Sequence, residues 1–218
     1  MGRGVFDSLK EKIDPAHTAV VVVDMQNDFC AGGGVLDEHG FDLSPMQSLI
    51  PRLKDFLERA RKTGLKVVFI RTEKGEDEIT PPAWELMGRT GRKRFACLTG
   101  SWGAEYVEGI ESLPGEMVVK KKTYSAFVGT DLEARLKESG IRTLIMTGVA
   151  TNVCVESTAR DAFMREFFVV FASDLAATDN PVLHQATLTN MEKHFGQVVS
   201  AEELLREWSP AAAGAAWK

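Results

Sequence analysis

The chain has 218 residues, enough for one sizeable α/β domain, and its hydrophobic (44%) and charged (26%) fractions are ordinary for a globular protein. Its net charge is −5 and it has no long basic run, which argues against a nucleic-acid-binding protein. Three cysteines in no paired or metal-like spacing favour free thiols in a reducing compartment. With no signal-peptide core and no apolar stretch of membrane-spanning length, the sequence predicts a cytoplasmic protein without a membrane or nucleic-acid partner.

Runs of apolar, mostly β-branched residues predict strands that are buried on both faces of a sheet. They lie at residues 19–23, 66–70, 117–120, 143–147 and 167–171, with a short sixth strand at 197–199. Helical spacing of apolar residues, together with capping signals, predicts helices between them. These lie at 44–64 (Ser44 as N-cap, Pro45 as the first helical residue), at 130–140 after a capping box at 130–133, at 151–165, at 181–196, and from Ser200, where Glu203 completes a capping box.

Strands that alternate with helices predict a three-layer α/β/α fold, in which helices cover both faces of an open, mostly parallel sheet. We expect a single domain over residues 1–218, with a structured core at about 15–208 and a flexible tail at 209–218. Residues 72–110 are less regular and include a basic cluster at 89–94. Loops of this length in compact domains are often functional, so this loop is a candidate for substrate contacts.

The segment Gly148-Val-Ala-Thr-Asn-Val-Cys154 places a thiol just after the fourth predicted strand, in the first turn of a helix. Backbone N–H groups are unpaired there and the helix dipole favours negative charge, so both effects lower the pKa of a cysteine. The segment therefore predicts a thiolate nucleophile or, because free cysteines are among the most buried residues, a structural thiol. The segment alone does not distinguish the two.

Reactive side chains also follow two other predicted strands. Asp24 ends the first strand and Lys121 ends the third, and sites in open α/β sheets lie at the carboxyl ends of strands. Cys154 would attack a carbonyl carbon, Asp24 would take the thiol proton and return it to the leaving nitrogen, and Lys121 would hold the pair in place. The amides of Ala150 and Cys154 would bind the oxyanion. Alternatively, Asp24 caps a turn and the lysines at 120–122 form a solvated edge, since the pattern does not say which lysine points inward.

Three motifs in this order resemble those of the isochorismatase-like cysteine hydrolase family. They are Val-Asp-Met-Gln-Asn-Asp-Phe at 23–29, Lys-Lys-Thr-Tyr-Ser-Ala-Phe at 121–127 and Gly-Val-Ala-Thr-Asn-Val-Cys-Val-Glu-Ser-Thr-Ala-Arg-Asp at 148–161. The resemblance implies a triad of Asp24, Lys121 and Cys154, and it selects Lys121 over its neighbours. It also implies a cis peptide bond between Val149 and Ala150, which would aim the Ala150 amide into the oxyanion hole.

Within this family, residues 28–37, 40–43, 100–103 and 150–158 resemble the ureide-cleaving branch, to which ureidoacrylate and biuret hydrolases belong, whereas the loop at 72–94 departs from it. Nicotinamidases of the family bind a metal through histidines in the loop after the second strand, but residues 71–80 contain none. Isochorismate hydrolases generally lack the cysteine. The resemblance thus favours chemistry that needs no metal and no cofactor.

We therefore expect a metal-independent cysteine hydrolase that cleaves a C–N bond of a small amide or ureide through a thioester-type intermediate and releases ammonia or an amine. The alternatives are a nicotinamidase- or isochorismate-type hydrolase and a nonenzymatic α/β binding protein. Because relatives form oligomers, the resemblance also implies a homodimer or homotetramer.

Seven side chains near these motifs are candidate substrate contacts. The aromatic ones would form walls around the substrate, and the polar ones would bond a urea group or a carboxylate. Core packing, a turn or a surface ion pair accounts for each of them equally well. They are Phe29, Phe41, Arg71, Glu73, Trp102, Tyr124 and Asn152.

Overall fold

The structure of the protein is a computed structural model that describes residues 4–209. Its six strands are β1 (Thr18–Val23), β2 (Lys66–Thr72), β3 (Met117–Lys121), β4 (Thr143–Val149), β5 (Phe168–Ala177) and β6 (Gln197–Val199). They form one sheet in the order β3-β2-β1-β4-β5-β6, and every pairing between them is parallel. The predicted parallel sheet is confirmed.

Helices cover both faces of this sheet and confirm the three layers. In the described residues they are α1 (Leu9–Lys12), α2 (Asn27–Cys30), α3 (Val35–Glu38), α4 (Ser44–Lys62), α5 (Pro81–Thr90), α6 (Leu132–Glu138), α7 (Glu156–Met164), α8 (Pro181–His194) and α9 (Ala201–Glu207). Shorter 3₁₀ turns lie at Pro15–His17, Glu76–Glu78 and Trp102–Ala104, and a π-helical turn lies at Thr151–Val155.

Two apolar cores lie on opposite faces of the sheet because successive strand side chains alternate in direction. The α4-side core joins α4 and α9 to alternate strand residues such as Val22 and Phe69. The α7-side core joins α6, α7 and α8 to the intervening ones, such as Val23 and Ile70. Every residue of β1 is buried, as expected for a central strand that is covered on both faces.

Two of the predicted caps are wrong. Ser44 is the first helical residue rather than the N-cap, and its N–H donates to the Asp42 carboxylate at 2.9 Å. The predicted capping box at 130–133 does not form, because the Thr130 hydroxyl donates to the carbonyl of Ala126 and Glu133 pairs with lysine and arginine side chains instead. The capping box at Ser200 is confirmed.

The region expected to be irregular contains α5, which the sequence reading missed. This helix has no buried residue and belongs to neither apolar core. Prolines in its first turn and Gly91 in the left-handed conformation at its end were the available signals. The described structure also starts before residue 15, with α1 and the fully buried Ile13, whereas residues 210–218 of the predicted tail lie outside the described part.

The strand order reverses between β1 and β4, which lie side by side although the chain visits β2 and β3 between them. In open α/β sheets, such a switch point opens a crevice at the carboxyl ends of the strands, where ligands bind. The candidate site is built around this crevice. Within residues 4–209, no helix has the length and apolar character needed to cross a bilayer.

Candidate active site

The turn that carries Cys154 is packed tightly against the end of β1. Gly148 pairs with Val23 across the two strands and has a φ of +104°. A Cβ atom at Gly148 would lie 2.1 Å from the carbonyl oxygen of Val23, so only glycine allows this approach. The end of β4 is thereby held directly beside Asp24, the residue that follows Val23.

The register between β2 and β3 determines which lysine reaches the site. Thr72 is paired with Lys121, and both continue the side of the sheet that forms the α7-side core. The Lys121 side chain is only 1% exposed, whereas that of the neighbouring Lys120 is 59% exposed and pairs with Glu73 on the other side. Strand alternation thus turns Lys121 inward and Lys120 outward.

Asp24 joins this group because its backbone leaves the strand conformation. After Val23, whose side chain lies in the α7-side core, regular alternation would turn Asp24 toward the opposite face. Instead Asp24 has a φ of +51°, an uncommon value for a non-glycine residue, and its side chain is buried. Its Oδ1 accepts a hydrogen bond from the Thr72 hydroxyl at 3.1 Å, and its Oδ2 lies 2.7 Å from Lys121 Nζ.

The Lys121 ammonium connects the three predicted reactive groups. Besides its ion pair with Asp24, Nζ donates to Thr72 Oγ1 at 2.7 Å, to the Thr123 carbonyl at 3.0 Å and to Cys154 Sγ at 3.4 Å. The structure therefore brings Asp24, Lys121 and Cys154 together. Thr72, which contacts two of them, was not predicted from the sequence, although it lies at the end of β2 beside Lys121.

Cys154 lies in the π-helical turn that precedes α7, and not in the first turn of an α-helix as predicted. The expected cis peptide bond joins Val149 to Ala150. The Ala150 carbonyl then accepts the N–H groups of Val153 and Val155, and the Thr158 hydroxyl of α7 donates to the Cys154 carbonyl at 2.7 Å. The turn is therefore fixed at both ends while Cys154 remains 8% exposed.

The expected lowering of the Cys154 pKa is wrong. Burial raises the pKa of the thiol to about 12, the Lys121 ammonium opposes this shift, and the Asp24 carboxylate adds to it. Lys121 shows the converse balance, because burial lowers the pKa of its ammonium but the Asp24 carboxylate and the hydrogen bond to Cys154 outweigh burial and raise it. Because its pKa is raised, Cys154 is a thiol at neutral pH and lies beside the Asp24–Lys121 ion pair.

Other residues of the first motif tie the long loop to the site. The Asp28 carboxylate accepts the N–H of Cys97 at 2.6 Å and that of Val35 at 3.0 Å. A Cβ atom at Gly103 would lie 2.1 Å from this carboxylate, so glycine is required there. The Gln26 side chain bonds backbone groups of Thr72 and of residue 104. These roles of Gln26 and Asp28 were also missed, since buried polar ties of this kind depend on long-range contacts.

The second and third motifs are joined in the same way. The Ser125 hydroxyl donates to the Asp161 carboxylate, and the N–H of Ala126 donates to Thr158 Oγ1 at 3.1 Å. Because Thr158 also bonds the carbonyl of Cys154, the segment after Lys121 and the helix after Cys154 are held as one unit.

The structure separates two of the predicted substrate contacts from the triad. Arg71 lies on the same side of β2 as Phe69, which is the α4 side. Its guanidinium stacks on Tyr106, 4.7 Å from the ring centre, and donates to a backbone carbonyl. Glu73 lies 3.7 Å from Arg71 and 2.8 Å from Lys120. Neither side chain is directed toward Cys154.

The other predicted contacts differ in how well they are placed. Phe29 packs against the α4-side core, and the ring of Phe41 lies beneath a guanidinium on the surface. Trp102 and Tyr124 are about half exposed, which leaves their rings accessible. Asn152, in the turn of Cys154, has a buried Oδ1 with no hydrogen-bond partner among the described residues. Of the seven, Asn152 is the best placed for a polar contact beside the thiol.

A carboxylate, an ammonium and a thiol, buried together at the switch point of an open parallel sheet, form the kind of site found in α/β enzymes. Over residues 4–209, no cluster of three or more His, Cys, Asp or Glu side chains is arranged to hold a metal ion. Residues 18–203 match the sequence model of the Isochorismatase domain. The chain belongs to the isochorismatase family, as its motifs indicated.

Individual relatives agree with this assignment over nearly the whole chain. The ureidoacrylate amidohydrolase RutB of Agrobacterium fabrum is 37% identical over 213 residues, which are 92% of this chain and 93% of the relative. A cysteine hydrolase from Pseudomonas syringae pv. phaseolicola superposes with a TM-score of 0.79 at 27% identity, over 95% of this chain and 98% of the other. An N-carbamoylsarcosine amidase from Thermoplasma acidophilum gives 0.69 at 25% identity, over 85% and 97%. The predicted fold and the predicted enzyme class, an amidohydrolase, are confirmed.

Proposed function

We propose that the protein cleaves a C–N bond of a small amide or ureide with Cys154 as the nucleophile. The observation that carries this proposal is the position of Lys121 Nζ, which is buried and lies 2.7 Å from Asp24 Oδ2 and 3.4 Å from Cys154 Sγ. Such a group supplies a base, a nucleophile and a fixed positive charge at one point. The similarity to an amidohydrolase and an amidase supports a C–N bond as the target.

Asp24 is the group in contact with the thiol that is suited to accept its proton. Its Oδ1 is occupied by the Thr72 hydroxyl, whereas its Oδ2 has no donor aligned for a hydrogen bond within the described residues, despite the ion pair with Lys121. As Sγ attacks the carbonyl carbon and the S–C bond forms, the thiol proton passes to Asp24. Because burial raises the pKa of Cys154, we propose that this transfer accompanies the attack.

The carbonyl oxygen becomes an oxyanion in this step, and we assign its binding to the backbone amides of Ala150 and Cys154. When the oxyanion collapses, the C–N bond breaks and Asp24 returns the proton to the leaving nitrogen. Water then attacks the thioester-type intermediate and gives a proton to Asp24, which passes it to the sulfur as the C–S bond breaks. For a ureide, the acyl group is a thiocarbamate and the released acid is a carbamic acid.

Substrate contacts follow from the same geometry. The unpartnered Asn152 Oδ1 would accept an N–H of the amide or urea group, since a buried carbonyl oxygen without a donor is costly. The half-exposed rings of Trp102 and Tyr124 would cover the substrate. Independence from metals and cofactors, assembly as a homodimer or homotetramer, and a cytoplasmic location stay predictions.

The test is ammonia or amine release from a panel of ureides and primary amides, including ureidoacrylate, nicotinamide and biuret, with isochorismate hydrolysis followed separately. We expect Cys154→Ala and Cys154→Ser to abolish turnover, and a chelator to leave the parent enzyme unaffected. An acid-quenched reaction should show the acyl mass on the peptide that contains Cys154. Cys30→Ala, which removes a buried thiol from another part of the core, is the matched control and should stay active. Substantial turnover by a folded Cys154→Ala variant would refute the mechanism.

A further inference from the structure

Lys74 lies on the same side of the chain as the triad but is used by none of the steps above. It follows Thr72 by two residues, in a segment that forms a parallel bridge with Leu98 beyond the end of β2. The Lys74 N–H donates to the Cys97 carbonyl at 3.3 Å, and its own carbonyl accepts the N–H of Thr99 at 3.0 Å. Because this segment continues the extended chain, the period of two directs Lys74 to the side that Thr72 faces.

The Lys74 side chain is partly buried, and its ammonium faces an aromatic ring and not an acid. Its Nζ lies 5.7 Å from the centre of the Phe95 ring, which in turn meets Trp84 of α5 edge-on at 4.7 Å. Within residues 4–209, no carboxylate oxygen lies within 4.0 Å of this ammonium. Its neighbours are different, since Lys120 pairs with Glu73 and Lys122 with Glu78.

The electrostatics connect Lys74 to the reactive groups. Burial lowers the pKa of Lys74, and the Lys121 ammonium lowers it further, whereas the Asp24 carboxylate acts in the opposite direction. The ammonium therefore lies within the field of the triad. A partly buried cation without an anion is unfavourable, and a bound anion would relieve this and raise the pKa again.

We propose that Lys74 binds an anionic group of the substrate, a carboxylate, while the scissile amide or ureide carbonyl lies at Cys154. This rests on the proposed function and deepens it, because it makes the substrate an acid with a ureido or amide group at its other end. A single ammonium beside an aromatic wall matches one carboxylate on a small planar chain. Lys74 is then a specificity-determining residue, supplied by the loop at 72–94 in which the sequence departs from the ureide-cleaving relatives.

The kinetic test compares ureidoacrylate with 1-propenylurea, in which a methyl group replaces the carboxylate. For Lys74→Met we expect kcat/KM to fall roughly tenfold or more for ureidoacrylate, mainly through KM, and to change less than about threefold for the neutral urea. Lys74→Arg should retain most of the preference. Lys66→Met is the matched control, since it removes the same charge from the exposed amino end of β2. Equal losses on both substrates would overturn the proposal.

A second measurement does not depend on turnover. Iodoacetate and iodoacetamide alkylate the same sulfur but differ in charge, so their rate ratio at Cys154, followed by peptide mass, reports the anion site alone. We expect Lys74→Met to lower this ratio about fivefold or more, and Lys66→Met to leave it unchanged. An unchanged ratio in Lys74→Met would overturn the anion site even if the enzyme is active. A lowered ratio in a protein that hydrolyses no amide would instead uphold the site and refute the proposed function. If Lys74→Met does not fold, Lys74→Gln takes its place in both arms.

Discussion

Lys120 and Lys121 are consecutive residues of β3, yet they meet opposite environments. On the α7 side, Lys121 is buried among Asp24, Thr72 and Cys154. On the α4 side, Lys120 is mostly exposed and pairs with Glu73. The two lysines have the same chemistry, so the difference is due only to which side of the strand each one occupies.

The end of β2 shows the same contrast, because Thr72 faces the triad and the preceding residue, Arg71, faces Tyr106. A one-residue shift in the register of either strand would exchange the two sets. The register is set by the apolar residues that precede them, because Val119 and Ile70 belong to the α7-side core. The position of the reactive cluster is therefore fixed by core packing two residues earlier in each strand.

The largest effect expected from this contrast is on turnover. Lys121→Met removes the charge that contacts both Asp24 and Cys154, so we expect kcat/KM to fall by roughly 10²–10⁴-fold. Lys120→Met removes an equal charge from the other side and should change kcat/KM by less than about threefold. Both are measured by ammonia release from the best substrate of the ureide panel. Comparable losses in the two variants would show that strand side does not separate the roles of these lysines.

The two ion pairs, Asp24–Lys121 and Glu73–Lys120, should also differ in how much each stabilises the fold. Asp24 and Lys121 are both about 1% exposed, so removing one partner leaves a buried charge uncompensated. We expect Asp24→Asn and Lys121→Met each to lower the free energy of unfolding by about 3–5 kcal/mol. The double variant should lose less than the sum, because neither charge then remains.

Chemical denaturation of the four proteins gives the coupling free energy directly. The control cycle uses Glu73→Gln and Lys120→Met, for which we expect about 0–1 kcal/mol because the Lys120 side chain is 59% exposed and its charge is well solvated. Additive losses at Asp24 and Lys121 would mean that the two charges do not stabilise each other.

Much of this arrangement could be predicted from the sequence, because it depends on short patterns. The six strands, the parallel sheet and the three strand-end residues follow from apolar runs and from the rule that strand ends meet at one edge. The choice of Lys121 over Lys120 came only from a family motif, since a two-residue alternation in a five-residue strand is too weak a signal. The side chains of Arg71 and Glu73 lie on the α4 side of the sheet, and their role as substrate contacts stays a prediction.

The features that could not be predicted are those that depend on distant contacts. The left-handed backbone at Asp24, the buried ties of Asp28 to the loop at residue 97, and the lack of an acid beside Lys74 involve residues far apart in the chain. The direction of the Cys154 pKa shift could not be predicted from the sequence either. The sequence shows a helix start, which lowers the pKa, but it does not show the burial that raises it.

The raised pKa leads to a prediction about alkylation. With a thiol pKa of about 12, the thiolate fraction of Cys154 should grow about tenfold for each unit of pH between 7 and 10, without a plateau. Iodoacetamide labelling of the Cys154 peptide should follow that slope. Because Lys121 lowers this pKa, Lys121→Met should label more slowly at every pH in this range, whereas Lys120→Met should match the parent. A plateau near neutral pH would show that the thiolate forms in the resting enzyme.

The smallest effect concerns Thr72, the uncharged residue on the triad side. Its hydroxyl donates to Asp24 Oδ1 and accepts from Lys121 Nζ, so it fixes the direction of both charged groups. Thr72→Val keeps the shape but removes these two bonds, and we expect about 1–3 kcal/mol less stability and a loss of roughly tenfold in kcat. Thr72→Ser retains the hydroxyl and should recover most of both. If valine and serine variants behave alike, the hydroxyl does not position the triad, and the burial of Asp24 and Lys121 is sufficient to hold them in place.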